Sequence, residues 1–190
     1  RADEEEEMFV EFVYSKKDAL LEYPESKMAD ITALQAQEII GDEEVLKALH
    51  KMVNIEHLNY GFDNVEQLDV EVINFIVSRE NLRSLGLQVN VKESKDLAFL
   101  ANIDSLRSLT ICRSLFSMAN HKYSFDLEFA KYLGGLPIER LVILGELEDG
   151  VTDYLMNHCK SLKELQLTIN REQLIKCLEN SDMGRLDYFK

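Results

Sequence analysis

Leu82-Arg83-Ser84-Leu85-Gly86-Leu87-Gln88-Val89-Asn90 and Leu162-Lys163-Glu164-Leu165-Gln166-Leu167-Thr168-Ile169-Asn170 follow one nine-residue pattern, L-x-x-L-x-L-x-x-N. Shorter versions of it recur along the chain. Ile55-x-x-Leu58-x-Tyr60 carries Asp63 at the Asn position, and Leu106-x-x-Leu109-x-Ile111 carries Ser114 there. Ile138-x-x-Leu141-x-Ile143 is a further match, and Ile31-x-x-Leu34-x-Ala36 and Met183-x-x-Leu186-x-Tyr188 are weaker ones at the two ends. The series starts at 31, 55, 82, 106, 138, 162 and 183, with intervals of 24, 27, 24, 32, 24 and 21 residues. Seven hexamers at nearly even spacing point to a repeated supersecondary unit rather than to chance leucines. Alternation of apolar and polar residues at the end of each hexamer predicts a short strand with one buried face.

The segments between hexamers read as helices. Leu46, Leu49 and Met52 share one helical face, and Gln67-Leu68 through Val77 continues with Val72, Ile73 and Ile76. Leu97 with Leu100, Phe129 with Leu133, Val151 with Leu155, and Leu174 with Leu178 repeat the spacing. Ser94 and Asp149 stand where helix N-caps are expected. A strand-helix unit cannot bury its own apolar face, so successive units stack. The first thirty residues differ. The acid run Asp3–Glu7 precedes Phe9, Phe12 and Val13, then Lys16-Lys17 and Leu20-Leu21, and Pro24 breaks the pattern. Acids first and lysines later suit a helix dipole, so residues 3–22 are expected to form a helix capping the first repeat.

The two full matches resemble leucine-rich-repeat (LRR) motifs. The resemblance covers roughly residues 31–190 and implies an α/β fold: an LRR solenoid of about seven irregular repeats, with a curved parallel sheet on the concave side and helices on the convex side. Residues 1–30 stand apart as the acidic N-terminal segment. Gly150-Val151-Thr152-Asp153, Leu155 and Cys159-x-x-Leu162-x-x-Leu165-x-Leu167 are similar to the cysteine-containing repeat of F-box/LRR proteins, the substrate receptors of cullin-based ubiquitin ligases. Asn90 and Asn170 resemble the asparagine ladder of the family, which satisfies backbone groups in the turn after each strand.

Charge and composition narrow the function. The 190 residues carry a formal net charge of −14, which disfavours nucleic-acid phosphate and acidic membranes as partners and leaves a basic protein open. Apolar runs such as Leu141-Val142-Ile143-Leu144 fall far short of the roughly 20 residues that cross a bilayer. No signal peptide is visible. A chain that starts at Arg1 reads as an excised or processed piece. Cys112, Cys159 and Cys177 are odd in number and widely spaced, which fits neither a disulfide framework nor a zinc site and favours an intracellular setting, cytoplasm or nucleus. His158-Cys159 are neighbours whose side chains diverge on a helix, and no nucleophile elbow, phosphate loop or His-Glu-x-x-His occurs. The chain is therefore expected to be no enzyme, with no cofactor, no metal and no small-molecule ligand.

In the LRR geometry the residues between the strand leucines face the concave side. That surface is small and polar except near Val142 and Leu144, which alternate with the core residues Leu141 and Ile143 and are expected to be exposed beside Cys112. Arg140 could meet a partner's carboxylate. The 32-residue interval holds an insertion over 113–124, whose Phe116 and Tyr123 could anchor a partner near the same strand. With Gln166 and Phe189, these make the expected partner-binding set: Cys112, Phe116, Tyr123, Arg140, Val142, Leu144, Gln166 and Phe189. The function expected is a non-catalytic protein–protein interaction domain, the substrate- or partner-recognition part of a ubiquitin-ligase adaptor. The alternative is a structural subunit or scaffold of a stable intracellular complex, one that binds a basic protein through its acidic surface.

Overall fold

The leucines that define the hexamers lie level with one another. In the computed structural model, which describes residues 9–12, 17–37, 42–61, 69–89, 93–113 and 124–190, Leu34, Leu58, Leu85, Leu109, Leu141 and Leu165 are in register across adjacent parallel strands. Those strands belong to β1 (Phe9–Phe12), β2 (Ala33–Gln37), β3 (His57–Gly61), β4 (Ser84–Val89), β5 (Ser108–Arg113), β6 (Arg140–Leu144), β7 (Glu164–Leu167) and β8 (Tyr188–Phe189). They form one all-parallel sheet in which spatial order equals chain order.

Helical segments fill the connections: α1 (Lys17–Glu22), α2 (Glu25–Met28), α3 (Glu43–His50), α4 (Val70–Val77), a 3-10 helix Ser94–Asn102, α5 (Leu127–Leu133), α6 (Val151–His158), α7 (Arg171–Glu179) and a 3-10 helix Ser181–Arg185. Consecutive helices contact one another from α3 through α6, so they line up beside the sheet in chain order. The core lies between the two layers. Leu58, Leu85, Leu109, Leu141 and Leu165 from the strands meet Leu49, Phe75, Ile76, Leu97, Leu100, Phe129, Leu133, Val151 and Leu155 from the helices, all buried. Each fully buried side chain of this size is worth about 1.5–3 kcal/mol.

Local chemistry fixes the helix starts. Asp42 accepts from the backbone N–H groups of Glu44 and Val45, Asp69 from Glu71 and Asp126 from Phe129. Each satisfies donors that the first helical turn leaves unpaired. Side chains also close helix ends across neighbouring units. The buried Arg79 donates to the carbonyls of His50 and Met52, at the end of α3, and lies over the Phe75 ring. Arg185 does the same for Met156 and Cys159 at the end of α6.

Where the strands begin, backbone groups form a ladder. The N–H of Arg83 donates to Glu56 O at 2.8 Å, that of Arg107 to Arg83 O at 2.8 Å, that of Glu139 to Arg107 O at 2.7 Å and that of Lys163 to Glu139 O at 2.8 Å. Buried-edge backbone groups are paired in this way along the sheet.

Several expectations are corrected. The continuous helix expected over 3–22 is replaced within the described residues by strand β1 followed by the short helix α1. The alternating, aromatic-rich stretch Phe9-Val10-Glu11-Phe12 suits a strand, and it adds to the sheet with Val10 level with Leu34. At the other end, Phe189 rather than Leu186 is level with Leu165. The last hexamer therefore begins at 186, and the true interval is 24 residues instead of 21. Asn170 is exposed and caps α7 in a capping box with Gln173, so it is no rung of a ladder. Gly150, at φ 86°, precedes α6 where Asp149 was expected to cap it. Ser94 is buried and its hydroxyl donates to Asp126 Oδ1 at 2.7 Å. Leu174 and Leu178 are exposed on α7, whose one buried residue is Cys177. The 3-10 helix Ser181–Arg185 contacts α6 in the place where α7 was expected. Asn90, Gln67 and Leu68 lie outside the described residues.

Candidate functional site

Among the described residues, alternation along the strands leaves one sheet face without a helical layer. Leu85 and Leu87 of β4 are buried against helices, whereas Ser84, Gly86 and Gln88 between them are not. The same holds for Ser108, Thr110 and Cys112 on β5 and for Glu164 and Gln166 on β7. Parallel register arranges these outward residues in rows that cross the strands. One row runs Gln35, Asn59, Gly86, Thr110, Val142, Gln166; the next runs Gly61, Gln88, Cys112, Leu144.

Two shallow hollows mark this face. The first, about 240 Å³, is bounded by Gln35, Asn59, Gly86, Gln88, Thr110 and Cys112. Its polar groups are neutral amides and a hydroxyl. Gly86 shapes it, because the Asn59 amide leans across the glycine and a Cβ built there would run into the amide oxygen. Burial pushes the Cys112 thiol up from its ordinary pKa, so it stays a neutral thiol at pH 7. The second hollow, about 330 Å³, is bounded by Arg140, Val142, Glu164, Gln166 and Tyr188. Arg140 Nε lies 3.2 Å from Glu164 Oε2, and its Nη1 donates to Thr110 Oγ1 at 3.4 Å. Both members of the ion pair are about half exposed.

The expected site residues separate into groups. Cys112 and Leu144 are level on neighbouring strands, and Leu144 is 39% exposed. Gln166 is half-buried and Arg140 exposed, both on the same face. Val142 also points to this face but is only 6% exposed, which corrects its reading as a solvent-facing anchor. The pleat aims it outward as expected, and Thr110 and Gln166 stand level with it on the two neighbouring strands. Phe189 is corrected too. It packs against the core, and Tyr188, 49% exposed, takes the outward position beside Arg140 and Glu164. The signal for Tyr188 was the 24-residue spacing from Leu165 to Phe189. Phe116 and Tyr123 lie outside the described residues.

Chemically the face offers hydrogen-bond donors and acceptors, one ion pair, one exposed leucine and one phenol. The exposed His158 stacks on Tyr154 at 3.9 Å between ring centroids and bonds the Tyr154 carbonyl, on α6 and away from this face. Cys159, its sequence neighbour, is buried, with its thiol pushed up to about 11 by desolvation. Among the described residues no group of three His, Cys, Asp or Glu could hold a metal ion, and no helix is long and apolar enough to cross a membrane. Compared with known families and with curated proteins, the sequence matches no family model and no curated protein.

Proposed function

We propose that the chain is a non-catalytic LRR solenoid domain that binds another protein across the open face of its parallel sheet. The observation that carries this reading is the open face itself: helices cover one side of the sheet, and the other presents rows of polar side chains in strict register. In a stack of strand-helix units such a face is the extended surface available to a partner. Leu144, Cys112 and Tyr188 supply apolar contact, with Arg140, Glu164 and Gln166 around them, which suits a central anchor with a polar surround. The partner-recognition part of a ubiquitin-ligase adaptor is the more particular form of this reading, and it rests on the repeat around Cys159.

The test is co-purification from cells of the intact chain beside a Leu144→Lys/Tyr188→Ala variant, with thermal melting of both. The reading requires a protein that the wild type retains and the equally stable variant loses. Equal recovery by both excludes this face, and recovery of a cullin adaptor selects the ligase form. One observation favours the scaffold alternative: α7 exposes Leu174, Ile175 and Leu178, at 39%, 47% and 66%. A fixed subunit leaves such surface bare when isolated, so it predicts poor behaviour of the chain alone.

A further inference from the structure

The edge of the sheet where the strands begin carries a third depression, polar and remote from the open face in its lining. It measures about 440 Å³ and is bounded by Glu80, Asn81, Arg83, Ser105, Arg107 and Glu139. The backbone ladder holds Arg83 and Arg107 side by side, at the strand spacing of about 4.8 Å. Both are exposed.

Little engages this pair. Carboxylates outnumber cations in the chain, 35 to 21. Arg140 has its Glu164, and Arg79 and Arg185 are tied to main-chain carbonyls. The Arg83 guanidinium has no hydrogen-bond or ion-pair partner among the described residues. That of Arg107 reaches only the carbonyls of Asp104 and Leu106, both at the long distance of 3.4 Å. Glu139, on the rim, is drawn to Lys163 on its far side, at 3.6 Å. The Ser105 hydroxyl donates to Leu82 O at 2.6 Å and fixes the floor between the two arginines.

Like charges held together cost energy unless an anion bridges them, and planar guanidinium forks are suited to carboxylate oxygens. Two acids, Glu80 and Glu139, border the notch together with Arg83 and Arg107, and the ladder places Glu56 beside Arg83 and Glu139 beside Arg107. We infer that this notch is a recognition site for a protein segment that presents one carboxylate between two cations. The carboxylate is shared by Arg83 and Arg107, and the flanking cations meet Glu80 and Glu139. The rim acids set the selectivity, because they repel a doubly charged phosphoryl group or a run of acids and attract lysine or arginine beside the central acid.

The probe is a blocked peptide with one glutamate between glycines and a lysine at each end. Binding is followed by NMR of the isotopically labelled full chain at low salt, through the Nε–H signals of Arg83 and Arg107. The peptide should shift both signals. Its glutamine version should bind about tenfold more weakly or worse, as should the original peptide to R83Q/R107Q. R83E/R107E paired with the charge-inverted peptide should restore binding. Equal affinity for the glutamate and glutamine peptides, or unmoved guanidinium signals, overturns the site. Tighter binding of a phosphoserine version overturns the assignment to a single carboxylate. Both arginines are exposed, so R83Q/R107Q is expected to melt with the wild type. Should it not, the peptide pair on the wild-type chain decides alone.

Discussion

Val142→Ala separates the two ways of reading the open face. Deleting one buried methyl typically costs about 0.5–1.5 kcal/mol, and this substitution deletes two, giving about 1–3 kcal/mol. Val142 is 6% exposed, so nearly all of that surface is lost from contact. The face is open above it, however, and Thr110 and Gln166 can lean into the gap. Partial collapse places the cost in the lower half, at about 1–2 kcal/mol. With a urea slope of about 2 kcal/mol per molar, the unfolding midpoint should fall by about 0.5–1 M at constant slope. Leu144→Lys is the companion. Its position is 39% exposed and the lysine stem can keep part of the contact, so stability should change by no more than about 0.5 kcal/mol. A Val142→Ala midpoint that stays with the wild type would mean that Val142 is exposed and free to act as a partner anchor.

Leu85→Ala should cost about 2–5 kcal/mol by urea unfolding, since the residue is 1% exposed at the centre of the sheet; an unchanged midpoint would mean a wrong strand register. Asn170→Ala should cost about 1 kcal/mol and shorten α7, detected as faster amide exchange at Gln173 and Leu174, because both halves of the capping box go with it. Alkaline pH should destabilise the fold. Burial raises Cys159 from 9.0 to about 11 and holds Tyr60 well above its ordinary 10.0, so the unfolded state loses these protons first. Their stabilisation is complete below pH 9 and declines as pH climbs from 9 towards 11; a urea midpoint that stays flat across that window contradicts it.

The strand register was legible because a leucine every 24 to 32 residues can serve one geometry only. Leu34 through Leu165 fall level as their spacing demands. The ends were harder. Met183-x-x-Leu186 and Leu186-x-x-Phe189 satisfy the same apolar spacing, and only pairing with Leu165 chooses between them. At Phe9–Phe12 the charge pattern suits a helix dipole, yet an added strand gains hydrogen bonds along β2 that a local reading cannot weigh. Val142 shows a different limit. Alternation says which way a side chain points, whereas burial depends on what stands on the neighbouring strands. Asn170 shows a third, since one amide can satisfy a turn or cap a helix, and Gln173 three residues on decides for the cap. The pairing of Arg83 with Arg107 was out of reach, because their adjacency exists only once β4 and β5 pair.

Sequential order within the sheet governs how the chain finds its fold. Every strand pairs with the one before it in sequence, so no pairing waits for a distant segment. Strand partners lie 24 to 32 residues apart, about 0.13–0.17 of the chain length, which is a separation typical of mixed α/β domains rather than of slow all-β ones. The 32-residue span between Leu109 and Leu141 is the longest closure. By loop-closure entropy it costs only about 0.3 kcal/mol more than a 24-residue one. An insertion after β5 is therefore nearly free of penalty, and zipping can start at any adjacent pair and spread in both directions.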